Sequence, residues 1–330
     1  SADFNGYKIF RGIGVKSFIA DLLFLPGNLR RRSSFQSFWH KCFGLTSRTY
    51  EGADAERSLA EDLKDYDALI CGSDQIWNLD CTLGPVPPFF LSFASDGTKK
   101  IAYAPSLSHA KFEEKTSLED KKHVSEWLNR FDALSVRELS VAGQFQQLTN
   151  KHIVETLDPT LLLNLEDYRH IQAPQPPKKL EAGKYIFAYT LWPNKDMVHY
   201  IDKLAAKRGL TIVYYSQKPI RYQSHAINDG ELAQLIFFTL IDKANCVISN
   251  SFHATVFSIL YGKPFLTFGT EKSSSRMRTL LVKLGLPEKH LLPPDFEGGS
   301  NVEPFASVLN MARLNNLRAD SERFLNDALM

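Results

Sequence analysis

Residues 245–269 read Asn245-Cys-Val-Ile-Ser-Asn-Ser-Phe-His-Ala-Thr-Val-Phe-Ser-Ile-Leu-Tyr-Gly-Lys-Pro-Phe-Leu-Thr-Phe-Gly269. Cys246-Val247-Ile248 is a short apolar run suited to a buried parallel strand. Ser249, Asn250 and Ser251 are cap-type residues that favour a turn and a helix start. Phe252 to Tyr261 suits a buried helix, which Gly262 closes and Pro264 keeps from continuing. Phe265 to Phe268 restarts a strand. His253 therefore falls on the first turn of a helix, just past the C-terminal edge of a strand. In open α/β sheets ligands bind there, and a helix N-terminus attracts anions. A histidine in that place can move protons near neutral pH. It can equally serve as a cap or surface residue, and position alone leaves both readings open.

The alternation continues on either side. Upstream, Tyr185 to Leu191 reads as a strand, Asn194 caps a helix running to about residue 207, and Leu210 to Ser216 is the next strand. Asp229 opens a helix to about residue 242. Downstream, Ser273-Ser274-Ser275 lies among Lys272, Arg276 and Arg278, ahead of the helically spaced Leu280, Leu281 and Leu284. A serine-rich basic segment at a helix start suits a phosphate cradle, as it does an exposed loop. Pro304 to Leu329 reads as one or two helices.

The first half has the same grammar. Asp67 to Cys71 is a buried strand, and Gly72-Ser73-Asp74 turns off its C-terminal end, followed by Gln75, Trp77 and Asn78. Glycine permits close backbone approach, and Ser and Asp supply hydrogen bonds, so the turn reads as a ligand edge or as a helix cap with Trp77 in the core. Further strands end in Tyr103-Ala104-Pro105-Ser106, in Ser135-Val136-Arg137-Glu138 and in Leu157-Asp158-Pro159-Thr160. Arg137 suits an ion pair with Glu138 or bidentate binding of a phosphate or carboxylate. Asp158 reads as a cap or hinge residue. The three prolines between Gln172 and Pro177 mark the best linker. Two domains are expected, 1–172 and 173–330, with the terminal helix packing back on the first. Strand–helix alternation in both halves gives an α/β chain with parallel sheets.

Composition excludes more than it identifies. The chain has 330 residues, 44% hydrophobic and 23% charged, with a net charge of +2, so neither nucleic acid nor an acidic surface is an expected partner. Four cysteines (Cys42, Cys71, Cys81 and Cys246) stand in no metal-like spacing, which suggests a reducing, cytoplasmic compartment and no metal. No run reaches membrane-spanning length. Phe18 to Pro26, followed by Arg30-Arg31-Arg32, is read as an amphipathic core helix, with peripheral membrane association as the alternative. Gly12-Ile13-Gly14 lacks the helix signature of a nucleotide loop.

The stretch Asn250 to Ser258 with Gly262-Lys-Pro-Phe265 resembles the C-terminal signature of the polysaccharide pyruvyl transferase family, whose histidine is taken as the acid/base. Gly72-Ser-Asp-Gln-Ile-Trp-Asn78 is similar to a recognisable string of one large bacterial branch. Tyr103–Ser106, Ser135–Glu138, Leu157–Thr160, and Ser275-Arg276 ahead of Leu284-Gly-Leu286 follow in the family's order. The resemblance spans about residues 65 to 286. It implies two Rossmann-like domains facing across a cleft, of the GT-B type. It also implies transfer of a pyruvyl group from phosphoenolpyruvate to a sugar of a polysaccharide or its precursor, giving a ketal and free phosphate. On that implication His253 and Asp74 are catalytic, and Gly72, Ser73, Gln75, Arg137, Asn250, Ser251, Ser275 and Arg276 bind substrates. The partners are then phosphoenolpyruvate and a glycan or lipid-linked sugar, with no cofactor. A cytoplasmic protein is expected, with the inner face of the membrane as the alternative place. Two departures stand out. Ser251 occupies a position where one branch has a donor-holding Arg. The opening strand and Asn-Tyr-Gly-type turn common in the family are not found, so the first domain is expected to be shortened at its start. The alternatives are a nucleotide-sugar glycosyltransferase or epimerase, and a non-catalytic glycan-binding relative.

Overall fold

The computed structural model describes residues 33, 36, 38–40, 42–52, 54–108, 111–171, 180–216, 220–228, 234–270 and 274–330. The glycine pair, the arginine run, the apolar stretch before it and the proline-rich linker lie outside these residues. The chain forms two compact units, one of Arg48–Leu163 with Asn310–Met330, the other containing Asn164–Leu309.

The first unit is built on four parallel strands in sequence order: β1 (Ala68–Cys71), β2 (Lys99–Ala102), β3 (Ala133–Val136) and β4 (Ile153–Glu155). Helices α1 (Ala55–Asp62), α2 (Leu79–Thr82), α3 (Phe112–Lys115), α4 (Leu118–Asn129) and α5 (Leu139–Phe145) accompany them. The core centres on Trp77, which is 1% exposed, stacks on Phe90 at 5.0 Å and meets Phe145 edge-on at 5.1 Å. Its indole N–H donates to the Phe89 carbonyl at 3.0 Å, so the one polar atom of a buried Trp is satisfied. Asn78 beside it caps α2 through the Asp80 amide.

The second unit holds six parallel strands: β5 (Tyr185–Thr190), β6 (Thr211–Ser216), β7 (Ala226–Asn228), β8 (Cys246–Ser249), β9 (Phe265–Phe268) and β10 (Leu291–Leu292). Their spatial order is β7-β6-β5-β8-β9-β10, which is 3-2-1-4-5-6 counted from β5. This is the doubly wound dinucleotide-fold order, and the chain changes direction across the sheet between β5 and β8. Helices α6 (Leu165–Ile171), α7 (Lys195–Arg208), α8 (Gln234–Lys243), α9 (Phe252–Leu260) and α10 (Ser274–Leu284) accompany this sheet. β8 is buried throughout, as its apolar run requires, and α9 is buried at every position but His253.

The units divide at Leu163–Asn164 rather than in the proline-rich segment expected from the sequence. The physical reason is α6, whose Tyr168 packs on Phe238 and Phe257 of the second unit at 5.4 and 4.9 Å. The C-terminal helix α11 (Met311–Leu329) belongs to the first unit. Ser321 Oγ accepts from the Leu157 amide at 3.0 Å, and the Arg318 guanidinium donates to the Leu161 and Leu163 carbonyls at 2.6 Å.

His290 is wholly buried in the second unit. Its ring lies between Phe265 and Phe305, with centroids at 4.0 and 3.8 Å. Nδ1 donates to the Phe265 carbonyl at 3.2 Å, which leaves Nε2 to accept from Ser307 Oγ at 2.7 Å, the pattern of a neutral imidazole. Desolvation pushes its pKa below the ordinary histidine value. The unfolded chain therefore takes up a proton that the fold resists. Stability should be full above about pH 6.5 and fall as the pH drops below it. Urea midpoints from pH 8 down to pH 5 should show this loss, and His290→Gln should flatten it.

Candidate functional site

In the first unit the four family-like strings converge on one edge of the sheet, because each follows the C-terminal end of one of four adjacent parallel strands. Gly72 leaves β1 with φ 108°, and a Cβ there would lie 2.1 Å from the Tyr103 carbonyl oxygen. Only glycine permits that approach. Ser73 Oγ donates to the Ala104 carbonyl at 2.8 Å, and the Ser106 amide donates to the Asp74 carbonyl at 2.8 Å. These bonds hold Asp74 at φ 64° and Ala104 at φ 52°, a left-handed backbone that Asp tolerates better than most residues.

Arg137 lies beneath this edge. Its side chain is 4% exposed, and Nη2 stands 2.9 Å from Asp158 Oδ2, 2.8 Å from Ser73 Oγ and 3.7 Å from Asp74 Oδ1. Asp158 is 1% exposed and also caps a short turn through the Thr160 amide. One buried cation thus braces both the turn and its carboxylate. Asp74 itself presents a side chain that is 57% exposed. Of the residues singled out in this unit, Gly72, Ser73, Asp74 and Arg137 form one cluster. Gln75 is bonded within its own turn: its Oε1 accepts from Asn78 Nδ2 at 2.7 Å, which supports the cap of α2.

In the second unit His253 stands at the switch point. Asn250, 8% exposed, spans it: Oδ1 accepts from the Leu191 amide and Nδ2 donates to the Trp192 carbonyl, both at 2.8 Å. Ser249 Oγ donates to the Tyr189 carbonyl at 2.6 Å. Ser251 is the N-cap of α9 and is 5% exposed. Asn250 and Ser251, read from the sequence as substrate-binding, are thus engaged with the backbone. They fix where His253 sits.

Arg276, on the first turn of α10, lies over the Phe252 ring at 5.8 Å, and the His253 ring meets the same ring edge-on at 5.4 Å. Phe252 thereby brings a guanidinium to the first turn of α9. Thr267 ties the elements together, with its Oγ1 3.0 Å from Thr255 Oγ1 and 2.8 Å from Met277 Sδ. Ser275 is exposed beside Arg276, while Lys272 lies outside the described residues. An imidazole and a guanidinium thus border one ring at the N-terminus of α9, and groups of these types suit an anion that must gain or lose a proton. Among the described residues no group of three or more His, Cys, Asp or Glu is placed to hold a metal ion, and no helix is long and apolar enough to cross a membrane.

A family model described as polysaccharide pyruvyl transferase matches residues 5–272, most of the chain. The chain belongs to that family. No curated protein matches it. Among solved structures it is similar to a UDP-N-acetylglucosamine 2-epimerase from Rickettsia bellii, at 9% identity over 89% of this chain and 85% of that one, with a TM-score of 0.46. It is similar to S. aureus MnaA, solved with UDP, at 13% identity over 90% and 80% of the two chains, TM-score 0.45. The glycosyltransferase SnogD from Streptomyces nogalater matches at 11% identity over 83% and 74%, TM-score 0.37. The α/β architecture with two Rossmann-like units, the composition of the GT-B type, is what the chain shows.

Trp192, whose carbonyl Asn250 holds, lies just past β5 and is 60% exposed.

The buried Arg137–Asp158 pair makes a sharp stability prediction. Asp158→Asn keeps the size of the side chain but leaves the buried guanidinium without its nearest carboxylate. Removing one partner of a buried pair costs about 3–5 kcal/mol. Urea denaturation of the variant should show a loss of that order.

Proposed function

We propose that this member of the family transfers a pyruvyl group from phosphoenolpyruvate to two hydroxyls of a sugar in a polysaccharide or its lipid-linked precursor. The observation that carries the reading is His253 on the first turn of α9, with Arg276 held by Phe252 at the same helix end. In the reaction C3 of the enol gains a proton and becomes a methyl group. C2 forms two C–O bonds to the sugar and loses its bond to the phosphate oxygen. Of the two hydroxyl protons released, one balances the proton gained at C3 and the other leaves with phosphate.

His253 is the acid/base that carries a proton to or from the enolpyruvyl group. The α9 N-terminus and Arg276 hold the phosphate or carboxylate, with Ser275 as an added donor. The family branch with Arg at the position of Ser251 places its cation on the cap itself. Here Arg276 supplies that charge from the neighbouring helix. In the first unit Asp74 is the carboxylate that accepts a proton from a sugar hydroxyl, and Gly72 and Ser73 shape its turn. Arg137 is a positioning residue for Asp74, since its guanidinium is engaged with Asp158.

His253→Ala should lower phosphoenolpyruvate-dependent ketal formation by at least about a hundredfold, the usual scale for losing an acid/base. Near-normal turnover would remove the assignment. Phosphoenolpyruvate should raise the apparent melting temperature by mass action, and Arg276→Ala should weaken that shift. Pyruvate, phosphate and uridine nucleotides are run beside it. A shift with uridine nucleotides alone would replace this reading with a nucleotide-sugar one.

A further inference from the structure

Helix α7 treats its basic residues in two ways. In its second half Lys203 donates to the Gly299 carbonyl, and Lys207 and Arg208 both pair with Glu303. In its first half Lys195 and His199 enter no hydrogen bond or ion pair with any of the described residues, and the same holds for Arg221. These three line a recess of about 380 Å³ between the first two turns of α7 and residues 220–223, which lead toward β7.

A carboxylate builds the wall that carries Arg221. Asp202 of α7 accepts from the Gln223 amide at 3.0 and 3.1 Å and from the Ser224 amide at 2.9 Å, which pins that segment beside the helix. Among the described residues Asp202 is the one acid on the lining, and its lone pairs are already directed at the segment it holds. The recess thus has two permanent cations and an imidazole against one committed carboxylate. Like charges around a concave surface add their potentials and concentrate anions there. Packing gains nothing from leaving them unpaired.

The lining selects the anion. An Arg fork and a Lys point charge suit phosphate. The volume exceeds what a bare phosphate fills and falls within the roughly 300–1,000 Å³ of small-molecule pockets. The rest of the lining includes the amides of Asn194 and Gln223 and the aliphatic chains of Val198 and Ile220. A hexose offers hydroxyls to the first and C–H faces to the second. Among the described residues no aromatic side chain lines the recess, so a nucleobase would find no ring to stack on.

We propose that this recess is a sugar-phosphate site, in which Lys195, His199 and Arg221 hold the phosphate and the sugar lies against Val198 and Ile220. It is separate from the site of His253 and Arg276. α7 joins β5 to β6 on one side of the switch point, and α9 joins β8 to β9 on the other. That the phosphate is one carried by the acceptor sugar rests on the pyruvyl-transfer reading; the binding does not.

The test titrates the full chain by calorimetry with α-D-glucose 1-phosphate, α-D-galactose 1-phosphate and α-D-mannose 1-phosphate. At least one should bind saturably. Lys195→Ala and Arg221→Ala, both at exposed positions, should each weaken it about tenfold, the scale of a charge-assisted contact. Arg276→Ala should leave that affinity unchanged, and the thermal shift with phosphoenolpyruvate should be the same in Lys195→Ala and Arg221→Ala as in the unsubstituted chain. Inorganic phosphate, methyl α-D-glucopyranoside and geranyl diphosphate each carry part of the chemistry and should bind at least about tenfold more weakly than the best sugar phosphate. The assignment is overturned if no sugar phosphate binds, if one of these partial ligands binds as well, or if the loss appears in Arg276→Ala and not in the recess variants. The two ideas fail separately. Sugar-phosphate binding that depends on Arg221, in a chain that ignores phosphoenolpyruvate, sinks the pyruvyl reading and keeps the recess. A phosphoenolpyruvate shift with no sugar-phosphate binding does the reverse.

Discussion

A single amide spans the second unit's switch point. Between β5 and β8 the chain progresses to opposite sides of the sheet, so nothing in the strand ladder itself fixes the two turns that diverge there. Asn250 does so with an acceptor toward Leu191 and a donor toward Trp192. Only a carboxamide has both functions at that length. A carboxylate would lose the donor and set a buried negative charge against a carbonyl. Everything placed at this edge depends on the clamp. The N-cap at Ser251 starts α9 where the clamp leaves the chain, and α9 sets the direction of His253. Thr255, Thr267 and Met277 then carry the register across β9 to α10, which delivers Arg276. The site is thus assembled from side chain to backbone bonds, which are short, local and directional.

The first unit solves the same problem with charge. Its edge turn is held by a guanidinium that meets Asp158, Ser73 and Asp74 through one nitrogen. A buried pair of this kind adds little net stability, because desolvation offsets most of the attraction. It contributes geometry instead: the carboxylate at the surface is held near a fixed positive charge that water cannot screen. The two units therefore present their polar groups differently, one through a neutral clamp under a cationic rim, the other through a buried cation under an exposed carboxylate.

Much of this was legible in the chain. The strand, helix and strand from Cys246 to Phe268 follow from apolar runs bounded by caps, glycine and proline, and the structure places β8, α9 and β9 there. β7 and β10 were not read, since three and two residues give no periodic signal. Gln75, Asn250 and Ser251 were read as substrate contacts because sequence alone does not separate a polar side chain facing a ligand from one bonded to the backbone. A proline-rich segment looks like a boundary in the sequence, while the aromatic contacts by which Tyr168 joins α6 to the second unit link residues far apart in sequence.

The return of α11 to the first unit has a consequence for how the protein is made. Domains usually fold as units in the order they leave the ribosome. Here the first unit lacks the partner of the Leu157 amide, and of the Leu161 and Leu163 carbonyls, until Arg318 and Ser321 have been synthesised. The residues of the second unit, up to Leu309, are all synthesised before those two. The sheet that begins with β1 therefore gains these hydrogen bonds only once a helix more than 150 residues downstream has been made.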